Sequence, residues 1–209
     1  MALIEVFADV TCPFTHVGLK RVVHRLAESD QDVEVAVRAW PLEWVNGVPL
    51  EVDAVAVKAR VLADQLGVND FDGFDPTNWP TTTVPALNLV AAAYEQGMVA
   101  GLSMSLKVRA ALFENGLDIG QAEVLAEIAA ENGIDNWVYT TERSAQVQLD
   151  YDEGRRRGVR GSPDFWANGA EFFCPALTLG HGDDGGLLSE FDPQGLEQFI
   201  EQATDSRSN

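Results

Sequence analysis

Asp9-Val10-Thr11-Cys12-Pro13-Phe14-Thr15-His16 carries the residues best suited to chemistry in this chain of 209 residues. A short apolar run, Leu3-Ile4-Glu5-Val6-Phe7, precedes it, and an amphipathic helix is expected from about Val17 to Ala27. The cysteine therefore stands at a strand-to-helix junction, where free backbone N–H groups and the helix macrodipole favour an anion. Such settings favour the thiolate form, which is the nucleophile. Pro13 suits the first helical position, because it has no N–H to lose and its φ is preset. Thr15 follows Cys12 by three residues on one face of the first turn, so its hydroxyl is placed to donate to the sulfur. His16 adjoins the motif as a candidate base or thiolate stabiliser, although its ring need not face the sulfur. A free cysteine is often only a small buried hydrophobe, but Cys12 falls in a turn rather than on a core face.

A second stretch, Gly158-Val159-Arg160-Gly161-Ser162-Pro163-Asp164-Phe165-Trp166-Ala167-Asn168-Gly169, is a Gly-Ser-Pro turn leading into a short strand and a hairpin turn. The two stretches together resemble the active-site corner and the facing proline loop of thioredoxin-fold proteins, with Thr15 where a Cys-Pro-x-Cys corner has its second cysteine. Over nearly its whole length the chain is similar to the DsbA-like family of the FrnE and 2-hydroxychromene-2-carboxylate isomerase group. The resemblance implies that Cys12 and Thr15 are catalytic. It also implies that the Ser162–Pro163 bond is cis and that the Ser162 backbone pairs with a peptide or a tripeptide thiol. Pro13, Phe14, His16, Ser162 and Pro163 form the expected thiol-binding or substrate-binding set. Trp40, beside Pro41, joins that set if it lines a cleft; it and Trp79 suit core packing equally well. The implied cofactor is a low-molecular-weight thiol, glutathione or mycothiol, with no metal. Isomerase relatives carry serine at the matching position and activate glutathione; Cys12 departs from that pattern.

With no cysteine at position 15 the corner cannot close its own disulfide. Three chemistries stay open. Cys12 forms a mixed disulfide with a small thiol or a protein, or it sits beside a bound thiol whose thiolate the helix end and Thr15 stabilise, or the site is degenerate. Cys174 lies in Gly169-Ala170-Glu171-Phe172-Phe173-Cys174-Pro175-Ala176-Leu177, a segment that also resembles actinobacterial DsbA-like mycothiol-dependent reductases, whose Cys-Pro-x-Cys site this chain lacks. Two strand spacings, about 10 Å, would separate it from Cys12, beyond disulfide reach without movement. It reads as a buried structural thiol, with a resolving role as the alternative. His24 and His181 have no metal-ligand spacing with each other or with Cys12, and Asp183-Asp184 lacks the oxygen pattern of a calcium loop.

The elements that must position these residues follow from the pattern. Residues 2–9 read as a buried strand, and Asp32 to Trp40 alternate as a second. Helical runs follow at 52–67, Leu87–Gln96, Leu102–Asn115, Ala122–Asn132 and Thr141–Arg157, with a loop over 68–83. Two strands come next, Asp164–Ala167 and Glu171–Cys174, then a Gly/Asp-rich loop over 178–186 and a helix from Pro193. The expected fold is α/β, a thioredoxin fold with a large all-helical insertion between the second and third strands. Its thioredoxin-like domain would span 1–50 and 140–205, and its inserted helical domain 51–139.

Composition narrows the partners. The chain has 14 basic and 33 acidic residues, a net charge of −19. That argues against nucleic acid and anionic membranes, both of which reward positive charge. No apolar run is long enough to span a bilayer, and Met1 leads into a strand without a signal-peptide pattern, so a cytoplasmic location with reduced thiols is expected. The expected partners are a small thiol or a small organic substrate, with protein thiols next; the oligomeric state is not legible. The function expected first is a monothiol, DsbA-like thiol-disulfide oxidoreductase. Its rivals are a glutathione-dependent isomerase or transferase of the hydroxychromene or kappa type, and a non-catalytic thioredoxin-fold binding module.

Overall fold

Alternation along the first strand sets the layers. In β1 (Ala2–Ala8), Ile4, Val6 and Ala8 point to one face and are fully buried, while Phe7 is buried on the other. These positions come from a computed structural model that describes residues 2–29, 31–135 and 137–205. Helix α1 (Pro13–Ala27) follows, with Leu19, Val22 and Leu26 packed beneath Ile4 and Val6. Strand β2 (Val33–Ala39) then pairs parallel to β1, Ile4 opposite Val35 and Ala8 opposite Ala39. A short helix α2 (Leu42–Asn46), not expected from the sequence, turns the chain away from the sheet.

The helical part comprises α3 (Val52–Leu66), α4 (Val84–Tyr94), α5 (Met98–Phe113), α6 (Ala122–Glu131) and α7 (Ala145–Arg157). Helix α3 stops at Gly67, whose φ of 64° is the left-handed conformation that ends a helix and suits glycine. Helix α4 is buried almost all round, as its Val-Pro-Ala-Leu-Asn-Leu-Val-Ala-Ala-Ala-Tyr sequence requires. It packs on α5, which also lies against β2 and α1. A large apolar cluster runs from Val10, Val17 and Ala39 through Leu62, Leu89, Met104, Leu112 and Leu125 to Cys174, so the helices share a core with the active-site corner. Helix α7 lies across β2. Its Asp150 accepts from Arg38 at 2.9 Å and from the Ala39 N–H at 3.1 Å.

Strands β3 (Asp164–Ala167) and β4 (Ala170–Phe173) complete a four-stranded sheet of order β2-β1-β3-β4, antiparallel beyond β1. Their hairpin turns on Asn168 and Gly169, both at positive φ, as the Asn-Gly pair predicts. The segment read as a Gly/Asp-rich loop is instead a second hairpin, β5 (Leu177–His181) and β6 (Leu187–Phe191). Its turn closes through Gly182 N–H to Gly186 O at 2.9 Å, and Gln65 of α3 bonds the β6 backbone at Leu187 and Ser189. Helix α8 (Pro193–Thr204), capped by the Asp192 carboxylate, covers the α1 face of the sheet through Phe199 and Ile200.

Candidate active site

Cys12 is the N-cap of α1, with Pro13 at the first helical position and Thr15 and His16 buried in the first turn. The thiol makes no capping bond to the helix. Instead its S–H donates to the carbonyl of Ser162 at 2.9 Å, 150 residues away. The Thr15 hydroxyl pairs with the Ser162 hydroxyl at 2.9 Å, not with the sulfur as its spacing suggested. The Asp9 N–H donates to the same Ser162 Oγ at 3.0 Å. One serine thus joins the end of β1, the cysteine and the first helical turn. The Ser162–Pro163 bond is cis, as the resemblance implied. Ser162 is 8% exposed, and its carbonyl accepts the Cys12 S–H with one of its two lone pairs.

Asp9, quoted in the motif but given no role there, organises the turn. One carboxylate oxygen accepts from Thr11 N–H at 2.8 Å and Thr11 Oγ at 2.6 Å; the other accepts from Leu42 N–H at 2.7 Å and Thr83 Oγ at 3.3 Å. The signal was present in the sequence, since an aspartate two residues before a threonine favours a side-chain-to-backbone turn. Arg109 was also missed. It follows Lys107 by two residues in the otherwise apolar second half of α5, is fully buried, and donates to the Asp9 carbonyl at 3.1 Å. Asp164 is a third omission. It is fully buried immediately after Pro163, and neither carboxylate oxygen has a partner within bonding distance. Burial pushes its carboxyl up to about 6; Glu171 adds to the shift, while the Arg160 amide, the Arg160 charge and the Trp166 indole oppose it.

Several expected residues lie elsewhere. The His16 ring, 1% exposed, packs on Phe71 and Phe113, with Nε2 at 3.2 Å from both the Asp70 carbonyl and Glu114 Oε1. Burial, then the Lys20 charge, push it down to about 4 against the pull of Glu114 and Asp70, so at neutral pH it is an uncharged ring. It therefore brings no positive charge to the cysteine. His16, Asp70 and Glu114 offer ligand atoms within 4.8 Å of one another, but the Lys20 ammonium already binds both carboxylates there. Trp40 is a core residue and not a cleft liner. It is 2% exposed, stacked on Tyr151 at 5.1 Å and edge-on to Phe7 at 6.4 Å. Its place follows from β2, which hands it to the face where Phe7 and Val159 are buried. Phe14 is half-buried against the large core. Trp79 is half-buried too, its indole donating to the Leu50 carbonyl at 3.1 Å. Cys174 is 2% exposed and a free thiol like Cys12. Burial pushes its thiol well up, and the charges of Cys12 and Asp164 push the same way.

A sulfur at a helix start, held on the carbonyl before a cis-proline, is arranged for thiol chemistry at a partner's backbone. The sequence profile of the DSBA-like thioredoxin domain matches residues 3–180. Similar solved structures include the cytosolic disulfide reductase DsbM from Pseudomonas aeruginosa, 17% identical with a TM-score of 0.59 over 95% of this chain and 97% of that one. A probable DsbA oxidoreductase from Streptomyces coelicolor is 18% identical, with a TM-score of 0.61 over 99% and 92%. A 2-hydroxychromene-2-carboxylate isomerase is 15% identical, with a TM-score of 0.55 over 82% and 88%. At these identities the likeness is one of fold. No curated protein sequence matches the chain. The chain belongs to the family of DsbA-like thioredoxin domains, whose solved neighbours include both a disulfide reductase and an isomerase.

Proposed function

We propose that the chain is a monothiol thiol-disulfide oxidoreductase working with a low-molecular-weight thiol, glutathione or mycothiol, in a reducing cytoplasm. The observation that carries this reading is the Cys12 S–H seated on the Ser162 carbonyl, with Thr15 and not a second cysteine in the turn. The Cys12 thiolate attacks one sulfur of a disulfide R–S–S–R′. A Cys12–S–S–R bond forms and R′–S⁻ leaves, taking the proton that Cys12 gave up. The thiolate of a second small thiol, R″–S⁻, then attacks the R sulfur; an R–S–S–R″ bond forms, the Cys12–S bond breaks, and the Cys12 thiolate leaves and takes up the proton that the second thiol lost. Thr15 and Asp9 hold Ser162 in place through its hydroxyl, and Ser162 presents backbone to the partner. The structure of DsbM with glutathione, similar in fold at a TM-score of 0.55, supports a small thiol as partner.

The test is intact-mass analysis after exposure to oxidised glutathione. One glutathionyl adduct is expected, mapped to Cys12 and absent from Cys12→Ser, and reduced glutathione should remove it. A Cys12 that stays unmodified while the protein binds glutathione would sink the redox reading in favour of an isomerase or transferase. Neither adduct nor binding would leave a non-catalytic module.

A further inference from the structure

Arg109 poses a charge problem that the thiol chemistry does not use. Its side chain is fully buried. NH1 donates to the Ser105 carbonyl at 2.9 Å and to the Ser105 hydroxyl at 2.5 Å, and NH2 donates to the Asp9 carbonyl at 3.1 Å. All three acceptors are neutral, and Nε–H has no acceptor. Among the described residues no carboxylate forms an ion pair with this guanidinium, whereas the partly exposed Arg25, Arg38 and Arg157 each do. Burial draws its pKa down to about 10, with the charges of Asp9, then Cys12 and Tyr94, opposing, so at neutral pH it is a cation. A buried charge without a direct counter-charge is costly, and retaining one points to an anion that arrives from outside the chain.

A cavity of about 350 Å³ leads to it. Val10, Leu87, Val90, Ser105 and Arg109 line its buried end, and Leu3, Glu95 and Met98 line the end nearer solvent. Its walls are mainly apolar side chains and the outer edge of β2. Neither Cys12, Thr15, Ser162 nor Pro163 lines it, so it is separate from the thiol site. Three other charges border it, with Glu95 exposed at the end nearer solvent. Asp150 is compensated by Arg38, Gln146 and the Ala39 N–H, and Arg38 by Glu5 and Asp150. Among the described residues, Arg109 is the fully buried charge of this lining that forms no direct ion pair.

We propose that this cavity binds a small monocarboxylate with a compact apolar body, its carboxylate on Arg109 and its body against Leu87, Val90 and Val37. The volume lies at the low end of ligand sites, which suits a short acyl chain or a single ring. One buried positive charge and one free N–H match a singly charged head; a phosphate would bring a second charge with no partner. The ligand would touch the same arginine that holds the Asp9 carbonyl, so its occupancy reaches the start of the Cys12 turn.

Calorimetric titration of the full chain with octanoate tests this, with octanol and octylamine as neutral and cationic counterparts of equal length. Saturable one-to-one binding of octanoate alone is expected, and it should persist in Cys12→Ser. Arg109→Met should lower affinity by at least about tenfold, and Arg109→Lys should lose less. Should Arg109→Met not fold, Ala91→Phe fills the cavity from α4 and leaves the guanidinium in place; it should abolish binding. No saturable octanoate binding, equal binding of octanol, or unchanged binding in Ala91→Phe would each overturn the proposal. None of these outcomes bears on whether Cys12 accepts glutathione.

Discussion

Ser162 receives the Asp9 amide and the Thr15 hydroxyl on its side chain and the Cys12 thiol on its carbonyl, so three residues of the corner depend on one across the fold. Beside it, Asp164 shows what the site costs. Its carboxyl has a native pKa of about 6, against about 3.9 for an unfolded aspartate. The native state therefore holds the proton more tightly, and this residue's contribution to stability falls as pH rises from about 4 to about 6 and stays low above that. Asp164→Asn should remove the slope. Between pH 4.5 and pH 7.5 wild type should lose on the order of 2 kcal/mol relative to the variant, read from urea unfolding. Parallel pH profiles would mean that the carboxylate finds a partner in solution. The place of Cys12 at the helix start was legible from residue type and position in a turn, and the cis Ser162–Pro163 bond from the resemblance. Asp9, Arg109 and Asp164 were less so, because their meaning lies in burial and, for Asp9, in partners 33 to 153 residues away, namely Leu42, Arg109 and Ser162. Trp40 was open for the same reason; its neighbours are Phe7 and Tyr151, and neither adjoins it in sequence.

At the scale of elements, the outer edge of β2 is satisfied by side chains. The Tyr94 hydroxyl accepts from Val37 N–H at 2.7 Å and donates to the Val35 carbonyl at 3.1 Å. Burial, first among several influences, pushes this phenol up to about 12, so it keeps the proton it donates. Its ring lies over Gly101 of α5, where a Cβ would overlap the ring atoms. Gly101→Ala should therefore destabilise by about 1–3 kcal/mol despite alanine's better helix propensity, by forcing Tyr94 off the strand edge. Chemical denaturation would measure it, and a gain in stability would refute the close crossing. The helices were readable because apolar periodicity and terminal glycines agree along a contiguous stretch, as at Gly67 after α3. The β5–β6 hairpin was not, because glycines and aspartates at 182–186 masked the short alternation on each side of the turn. Tertiary contact with Gln65 of α3 supplies what those strands lack locally.

For the molecule as a whole, a net charge of −19 sets a field that any charged reagent must cross. Cystamine, a dication, should react with Cys12 faster at low salt than at high salt. Oxidised glutathione, an anion, should show the opposite trend. Equal salt dependence for both would place the site outside the field of the acidic surface. The charge balance was fully legible in the sequence; what it surrounds was not, since only the fold brings Cys12 to 3% exposure beneath its serine. That seclusion has a kinetic meaning. If a disulfide can reach a sulfur of 3% exposure only after its surroundings part, opening precedes reaction. With dilute reagent, the observed rate is the fraction of time open multiplied by the intrinsic rate. With concentrated reagent the rate should then level off at the opening rate, the same for every reagent, which stopped-flow thiol titration would show.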